Sequence, residues 1–313
     1  MAFKISFIGA GYMTTEHLKA FKDIDGAELV GIYSRTKSKA IDLSVQYGIK
    51  HVSDTIDALY RETKPDALVI SVPELSLKEI CKTAFKYPWV ILIEKPAGYN
   101  LQDAQYILDL ADSNKSKVFV ALNRRHYAST RVIQNKINNI NEPRIVNIFD
   151  QEDAVAALIA GQPETVVKNW MYANSIHMID LFRVFCRGSI TEVNNILPWN
   201  SNKPSIVLSK INFDSGDVGI YQAIWNAPAP WMLTVSTPSA RYEMRPMENA
   251  FEQVSGSRQL VKLEIDEVDV NYKSGIKVQA DEFICALKGK QHNLPTLDNA
   301  FETMRLINKI YEI

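Results

Sequence analysis

From Lys4 to Leu122 short apolar runs alternate with longer amphipathic stretches, and few folds accommodate that rhythm. Five runs have the length and β-branched content of buried strands: Lys4–Ile8, Glu28–Tyr33, Ala67–Val72, Val90–Ile93 and Val118–Leu122. Between them, stretches such as Ser76–Phe85 and Asp103–Ser113 repeat apolar residues at three- and four-residue spacing, as crossover helices do. Strands fed through helices pair in parallel, so this half is expected to be a doubly wound sheet.

After Leu122 the rhythm changes. Arg144–Phe149, Ile190–Leu197, Ser205–Phe213, Val218–Trp225, Met232–Thr237, Arg241–Arg245 and Gln259–Ile265 follow one another with mostly short turns, and Asp214-Ser215-Gly216-Asp217 is a hairpin turn. Helical patterns lie at Tyr172–Phe185, Ile276–Leu287 and Asn299–Tyr311. The fold class expected is therefore α/β: a Rossmann-type parallel sheet, then an α+β domain on a large, mostly antiparallel open sheet. A chain of 313 residues outgrows one core. The division expected is 1–122 and 123–313, with the last helix free to pack back on the first half.

Composition narrows the partners. With 46% hydrophobic and 23% charged residues the chain can bury ordinary cores, which excludes extended disorder. Its 35 basic and 36 acidic residues leave a net charge of −1, which offers no long-range attraction to nucleic acid or an anionic membrane. A small molecule is the expected partner. No leader pattern and no membrane-length apolar run is visible, so the expected location is cytoplasmic. Cys81, Cys186 and Cys285 are far apart and read as buried free thiols. His17, His51, His126, His177 and His292 form no ligand spacing with them, so no metal is expected.

Three places carry chemistry. Gly9-Ala10-Gly11 follows the first strand and opens a helix, where a dinucleotide-binding fold needs bare backbone near a pyrophosphate; the third glycine of that pattern is Thr14 here. At the end of the second strand, Tyr33-Ser34-Arg35-Thr36-Lys37 lacks the carboxylate that would bind a ribose diol. It offers a guanidinium and hydroxyls to a 2′-phosphate instead, so NADP is preferred over NAD. In Ile93-Glu94-Lys95-Pro96-Ala97 a buried strand ends in a charged pair and a proline, which restrains Lys95 at the carboxyl edge of the sheet, where ligands bind.

Gly9-Ala10-Gly11, Glu94-Lys95-Pro96 and Asn123-Arg124-Arg125, with Ser175-Ile176-His177-Met178-Ile179-Asp180 and the closing stretch from Ala280 through Pro295-Thr296, resemble the glucose–fructose oxidoreductase/inositol dehydrogenase (Gfo/Idh/MocA) family. The resemblance implies an NAD(P)-dependent oxidoreductase acting on a CH–OH or C=O group of a sugar, cyclitol or nucleotide-sugar. By it Lys95 would polarise the reacting oxygen and His177 would be the general acid/base. Cofactor contacts would fall on Gly9, Ala10, Gly11, Tyr12, Met13, Ser34, Arg35, Thr36, Ser71, Pro73, Glu94 and Lys95. Substrate contacts would fall on Lys95, Asn123, Arg125, Tyr127, Tyr172, Asn174 and His177, and the second sheet would join copies into a dimer or tetramer.

The chain departs from the family pattern twice. Ala173 stands where many members carry an aspartate one turn before the histidine, and the segment after the third-strand proline reads Pro73-Glu74-Leu75-Ser76-Leu77. Two rivals therefore stay open: a sensor that binds dinucleotide without catalysis, and a reductase of imines or tetrapyrroles.

Overall fold

A computed structural model describes residues 2–313. They form two compact units, residues 2–123 with Val268–Phe301 and Arg124–Glu267 with Glu302–Ile313.

The first unit carries six parallel strands, β1 (Phe3–Ile8), β2 (Ala27–Tyr33), β3 (His51–Ser53), β4 (Ala67–Ile70), β5 (Val90–Glu94) and β6 (Val118–Ala121), in the order β3-β2-β1-β4-β5-β6. That order reverses direction between β1 and β4, the place where an open α/β sheet leaves a crevice at its carboxyl edge. All four residues of β4 and of β6 are buried, as strands covered on both faces must be. The short edge strand β3, with two of its three residues outside the core, shows none of the apolar run that marks the other five.

Residues 268–301 fall in the second half by sequence order, yet they belong to the first unit. The helix Ile276–Leu287 buries Phe283 edge-on against Phe21 and Phe119, with ring centroids 6.0 and 6.2 Å away. Burying one such ring stabilises by about 1.5–3 kcal/mol. Thr296 bridges to Phe119, and Val120 N–H donates to the Pro295 carbonyl, so the returning chain also extends the β6 edge. The division expected at residue 122 misses this return because contacts between distant segments leave no local pattern.

The second unit is built on eight strands: β7 (Ile145–Glu152), β8 (Ile190–Leu197), β9 (Ile206–Phe213), β10 (Val218–Trp225), β11 (Met232–Ser236), β12 (Ala240–Met244), β13 (Phe251–Val254) and β14 (Val261–Lys262). Their order is β14-β13-β12-β11-β7-β10-β9-β8, and all neighbours are antiparallel except β7 and β10. Alternate residues of β7, β9 and β10 are buried, so one face of the sheet is packed and the other is more open. Gly219 of β10 is required on the packed face: a Cβ there would stand 2.8 Å from the Phe182 ring.

The continuous helix expected at Tyr172–Phe185 is interrupted. Met171–Ser175 is a π-helical turn, followed by Ile176–Ile179 and Phe182–Phe185. Cys81 and Cys186 are buried free thiols as expected, whereas Cys285 is only half-buried.

Candidate functional site

In the first unit the crevice begins with two glycines that do different jobs. Gly9 has φ +114°, and a Cβ on it would lie 1.9 Å from the backbone oxygen of Ser71 at the end of β4. Its role is to let the ends of β1 and β4 close together. Gly11 has no heavy atom within 4 Å of its Cβ position and is exposed at the N-cap of the helix Tyr12–Lys22, with no side chain capping that end. The helix therefore presents bare N–H groups and the positive end of its dipole. Thr14, in the third glycine position, is fully buried, and its hydroxyl oxygen has no hydrogen-bond partner. These features fit the pyrophosphate of a dinucleotide. Ala10 and Met13 are half-buried beside this turn, and Tyr12 is 65% exposed.

At the end of β2, Ser34 accepts a hydrogen bond from the Thr36 N–H at 3.2 Å, Arg35 and Thr36 are exposed, and Lys37 pairs with Asp54 at 2.5 Å. Ser71 is buried and donates its N–H to the Ile8 carbonyl, while Pro73 caps the next helix from an exposed position.

The β5 corner is pinned from below. Glu94 Oε1 lies 2.7 Å from Nε2 of the fully buried His17, and Glu94 Oε2 accepts the Lys95 N–H at 3.2 Å. Glu94 is thus occupied in fixing the corner, and the half-buried Lys95 leaves it through a cis Lys95–Pro96 bond. His17 has no distinguishing mark in the sequence; its helical position facing β5 is what gives it this role. Asn123 is buried and donates to the Ser274 carbonyl at 2.9 Å.

In the second unit the arginines at the start are committed. Arg125 forms two hydrogen bonds to Asp180, of 2.6 and 2.7 Å, and Asp180 also accepts from Thr303. Arg124 is buried, donates toward the Met178 sulfur, and lies 4.5 Å from the centroid of the Trp231 ring. Neither guanidinium is placed as a ready phosphate clamp. His126 is buried beside Arg125 and Arg131; burial first, and then those charges, push its imidazole down to about 3. Tyr127 is buried at the start of the helix Ala128–Ile137.

The π-helical turn brings Tyr172, Asn174 and Ser175 ahead of His177. Tyr172 is buried, and burial pushes its phenol up to about 12; its oxygen accepts a long bond from Asn308 at 3.5 Å. Asn174 and His177 are half-buried. The buried Ala173 supplies no carboxylate, but β7 does. On the packed face of β7, after Val146 and Ile148, come Asp150 and Glu152, both fully buried. Glu152 accepts from Ser175 Oγ at 2.8 Å and from Asn174 Nδ2 at 2.9 Å. Asp150 accepts from the Tyr221 hydroxyl at 2.8 Å, which is itself 2.9 Å from that of Tyr311.

Burial raises both carboxyls, and the neighbouring Asp150 charge drives Glu152 further up, against the pull of Arg124. The strand expected over Arg144–Phe149 stops one residue short of this pair, whereas β7 runs on to Glu152. Extending the alternation of Val146 and Ile148 by four residues places two carboxyls at core positions, and that was the available signal. Among the described residues no group of three or more His, Cys, Asp or Glu side chains is placed to hold a metal, and no helix is long and apolar enough to cross a membrane.

Residues 3–122 match the family described as an oxidoreductase family with an NAD-binding Rossmann fold. The chain is 25% identical to the 4-carboxy-2-hydroxymuconate-6-semialdehyde dehydrogenase of Sphingobium sp., over 93% of this chain and 92% of that protein. It is 21% identical to the myo-inositol 2-dehydrogenase of Thermotoga maritima, over 69% and 67% of the two chains. The solved structure of UDP-N-acetylglucosamine 3-dehydrogenase from Acidithiobacillus ferrooxidans superposes with a TM-score of 0.80 at 13% identity, covering 100% of this chain and 97% of that one. That likeness is one of fold.

Proposed function

Because the chain belongs to the Gfo/Idh/MocA oxidoreductase family, we propose that it transfers a hydride between a nicotinamide dinucleotide and the CH–OH or C=O carbon of a sugar or cyclitol. The observation that carries this reading is the uncapped helix N-terminus at Gly11, open at the point where the strand order reverses. With the pyrophosphate of a dinucleotide held there, the nicotinamide would supply the carbon that gives or takes the hydride.

The rest is done by side chains of this chain. The Lys95 ammonium donates to the reacting oxygen and stabilises the negative charge that grows on it. The His177 imidazole takes the hydroxyl proton in oxidation and returns it in reduction. Glu152 holds Asn174 and Ser175, and through them the turn that leads into His177. In this chain the carboxyl that supports the turn before the histidine comes from β7, and position 173 is an alanine.

The cofactor proposed is NADP. Tyr33 to Lys37 contain no carboxylate, and Arg35 is exposed where a 2′-phosphate would need a cation. The proposal includes a homo-oligomer through the open face of the second sheet, where Phe149, Ile206, Leu208, Ile220, Ile224 and Met232 keep some exposure at alternate positions. A cytoplasmic location is part of it as well. The test is turnover: the protein with NADP+ or NADPH and a panel of polyols and keto-sugars is expected to change absorbance at the nicotinamide band. Tight dinucleotide binding with no turnover of any member would point to a sensor instead.

A further inference from the structure

One cavity of about 360 Å³ lies entirely within the second unit, beside the turn that leads to His177. It sits toward the small end of the range of about 300–1,000 Å³ that small-molecule pockets occupy. Trp170 and Trp231 line it, together with Asn174, Gln151, Gln162, Asp153 and the alanines of the helix Ala154–Ile159 and its C-cap. We propose that this cleft takes one uncharged, polyhydroxylated ring, a free monosaccharide or cyclitol, and excludes its phosphorylated and nucleotide-linked forms. This deepens the oxidoreductase reading above and rests on it.

Three observations carry the proposal. The first is the aromatic wall. Trp231 is 39% exposed yet held in place, since its indole N–H donates to the Gln151 carbonyl at 2.8 Å and Arg124 lies against its ring. A fixed indole is a platform for the C–H face of a sugar ring, because those hydrogens carry slight positive charge and the indole face is negative. Having lost its freedom already, it loses little more on binding.

The second is the amide lining. Asn174 Nδ2 is committed to Glu152 at 2.9 Å, leaving its carbonyl oxygen to accept from a ligand hydroxyl. Gln162 is exposed at the rim and Gln151 is half-buried. Each amide can donate and accept, which suits neighbouring hydroxyls that do both.

The third is charge. The only ionisable group in the wall is a carboxylate, Asp153, whose Oδ1 caps the Ala156 N–H at 2.8 Å. Phosphate recognition calls on guanidinium or ammonium groups, and no Lys or Arg lines this cleft. Arg124 lies over the Trp231 ring without lining the cleft, and the carboxyls of Asp150 and Glu152 share its field.

The experiment is calorimetric titration of the full chain saturated with dinucleotide, using myo-inositol, D-glucose, glucose 6-phosphate and UDP-N-acetylglucosamine. Myo-inositol or D-glucose is expected to bind, and the two anionic probes to bind at least about tenfold more weakly than the better neutral one. Trp231→Ala should weaken the neutral ring by about tenfold or more while Trp231→Phe keeps most of the affinity. Gln162→Lys, at an exposed position with little risk to folding, should shift preference toward glucose 6-phosphate. Equal or tighter binding of either anion, no binding of both neutral rings by a protein that still binds dinucleotide, or indifference to Trp231→Ala would overturn the proposal. Failure to bind NAD+ or NADP+ at all would overturn the oxidoreductase reading, and this proposal with it.

Discussion

The turn after β1 and the end of β7 solve opposite problems. The first prepares a place for negative charge with backbone alone: Gly11 stands open, the helix behind it is uncapped, and no side chain in the turn is needed to bind. The second buries the carboxyls of Asp150 and Glu152 and pairs them with Tyr221, Ser175 and Asn174 drawn from other elements, leaving only Asp150 Oδ1 of the two carboxyls without a partner among the described residues. A backbone site tolerates change in its side chains and fails when a Cβ intrudes. A side-chain network tolerates little change in any member, because each loss leaves a buried partner unsatisfied.

The largest effects expected fall on the two groups assigned to chemistry. Lys95→Met and His177→Ala should each lower kcat by roughly a hundred- to ten-thousandfold in steady-state assays, with dinucleotide binding nearly intact. Unchanged kcat in either variant would remove that residue from the mechanism.

Next comes the contrast between the two glycines. Gly9→Ala should destabilise the protein by about 2–5 kcal/mol in a denaturant titration, since the new Cβ meets the Ser71 carbonyl at 1.9 Å and the positive φ adds strain. Gly11→Ala, with nothing within 4 Å, should shift stability by no more than about 0.5 kcal/mol and act on dinucleotide affinity instead. Equal stability losses would show that the two positions share one role.

Cofactor choice is a smaller effect. Arg35→Ala should weaken NADP by about ten- to a hundredfold, or roughly 1.5–3 kcal/mol, and NAD much less. Equal losses for both would refute the 2′-phosphate assignment.

The smallest effect concerns Glu152, whose folded carboxyl is raised by burial and by Asp150. Between its unfolded and folded values the native state binds the extra proton, so this group favours folding at low pH and that contribution is lost as pH rises through the folded value. Glu152→Gln cannot ionise, so its stability should decline less than that of the parent as pH rises from 5 to 8. Parallel stability curves for the two proteins would mean that Glu152 is ionised in the fold.

The elements that sequence located well share a physical property: their signals are local. β8, β10 and the helix Ile276–Leu287 occur at the residues expected from alternation and helical spacing. The strands around Gly9-Ala10-Gly11 and Glu94-Lys95-Pro96 were likewise legible, because buried parallel strands are continuous apolar runs. β3 and β13 were not, since short strands with few buried residues are specified by their neighbours.

By itself the sequence determined the doubly wound first sheet, the glycine turn at its crevice, and the missing carboxylates at the end of β2 and at position 173. These are properties of single segments, written in spacing and residue type. Only the tertiary structure decided that Glu94 is held by His17, that Arg125 belongs to Asp180, that residues 268–301 complete the first unit, and that Glu152 stands under Asn174 and Ser175. Each of these joins residues between 22 and more than 100 positions apart. Burial makes every such polar group seek whichever partner the packing brings near, and no local pattern records which one that will be.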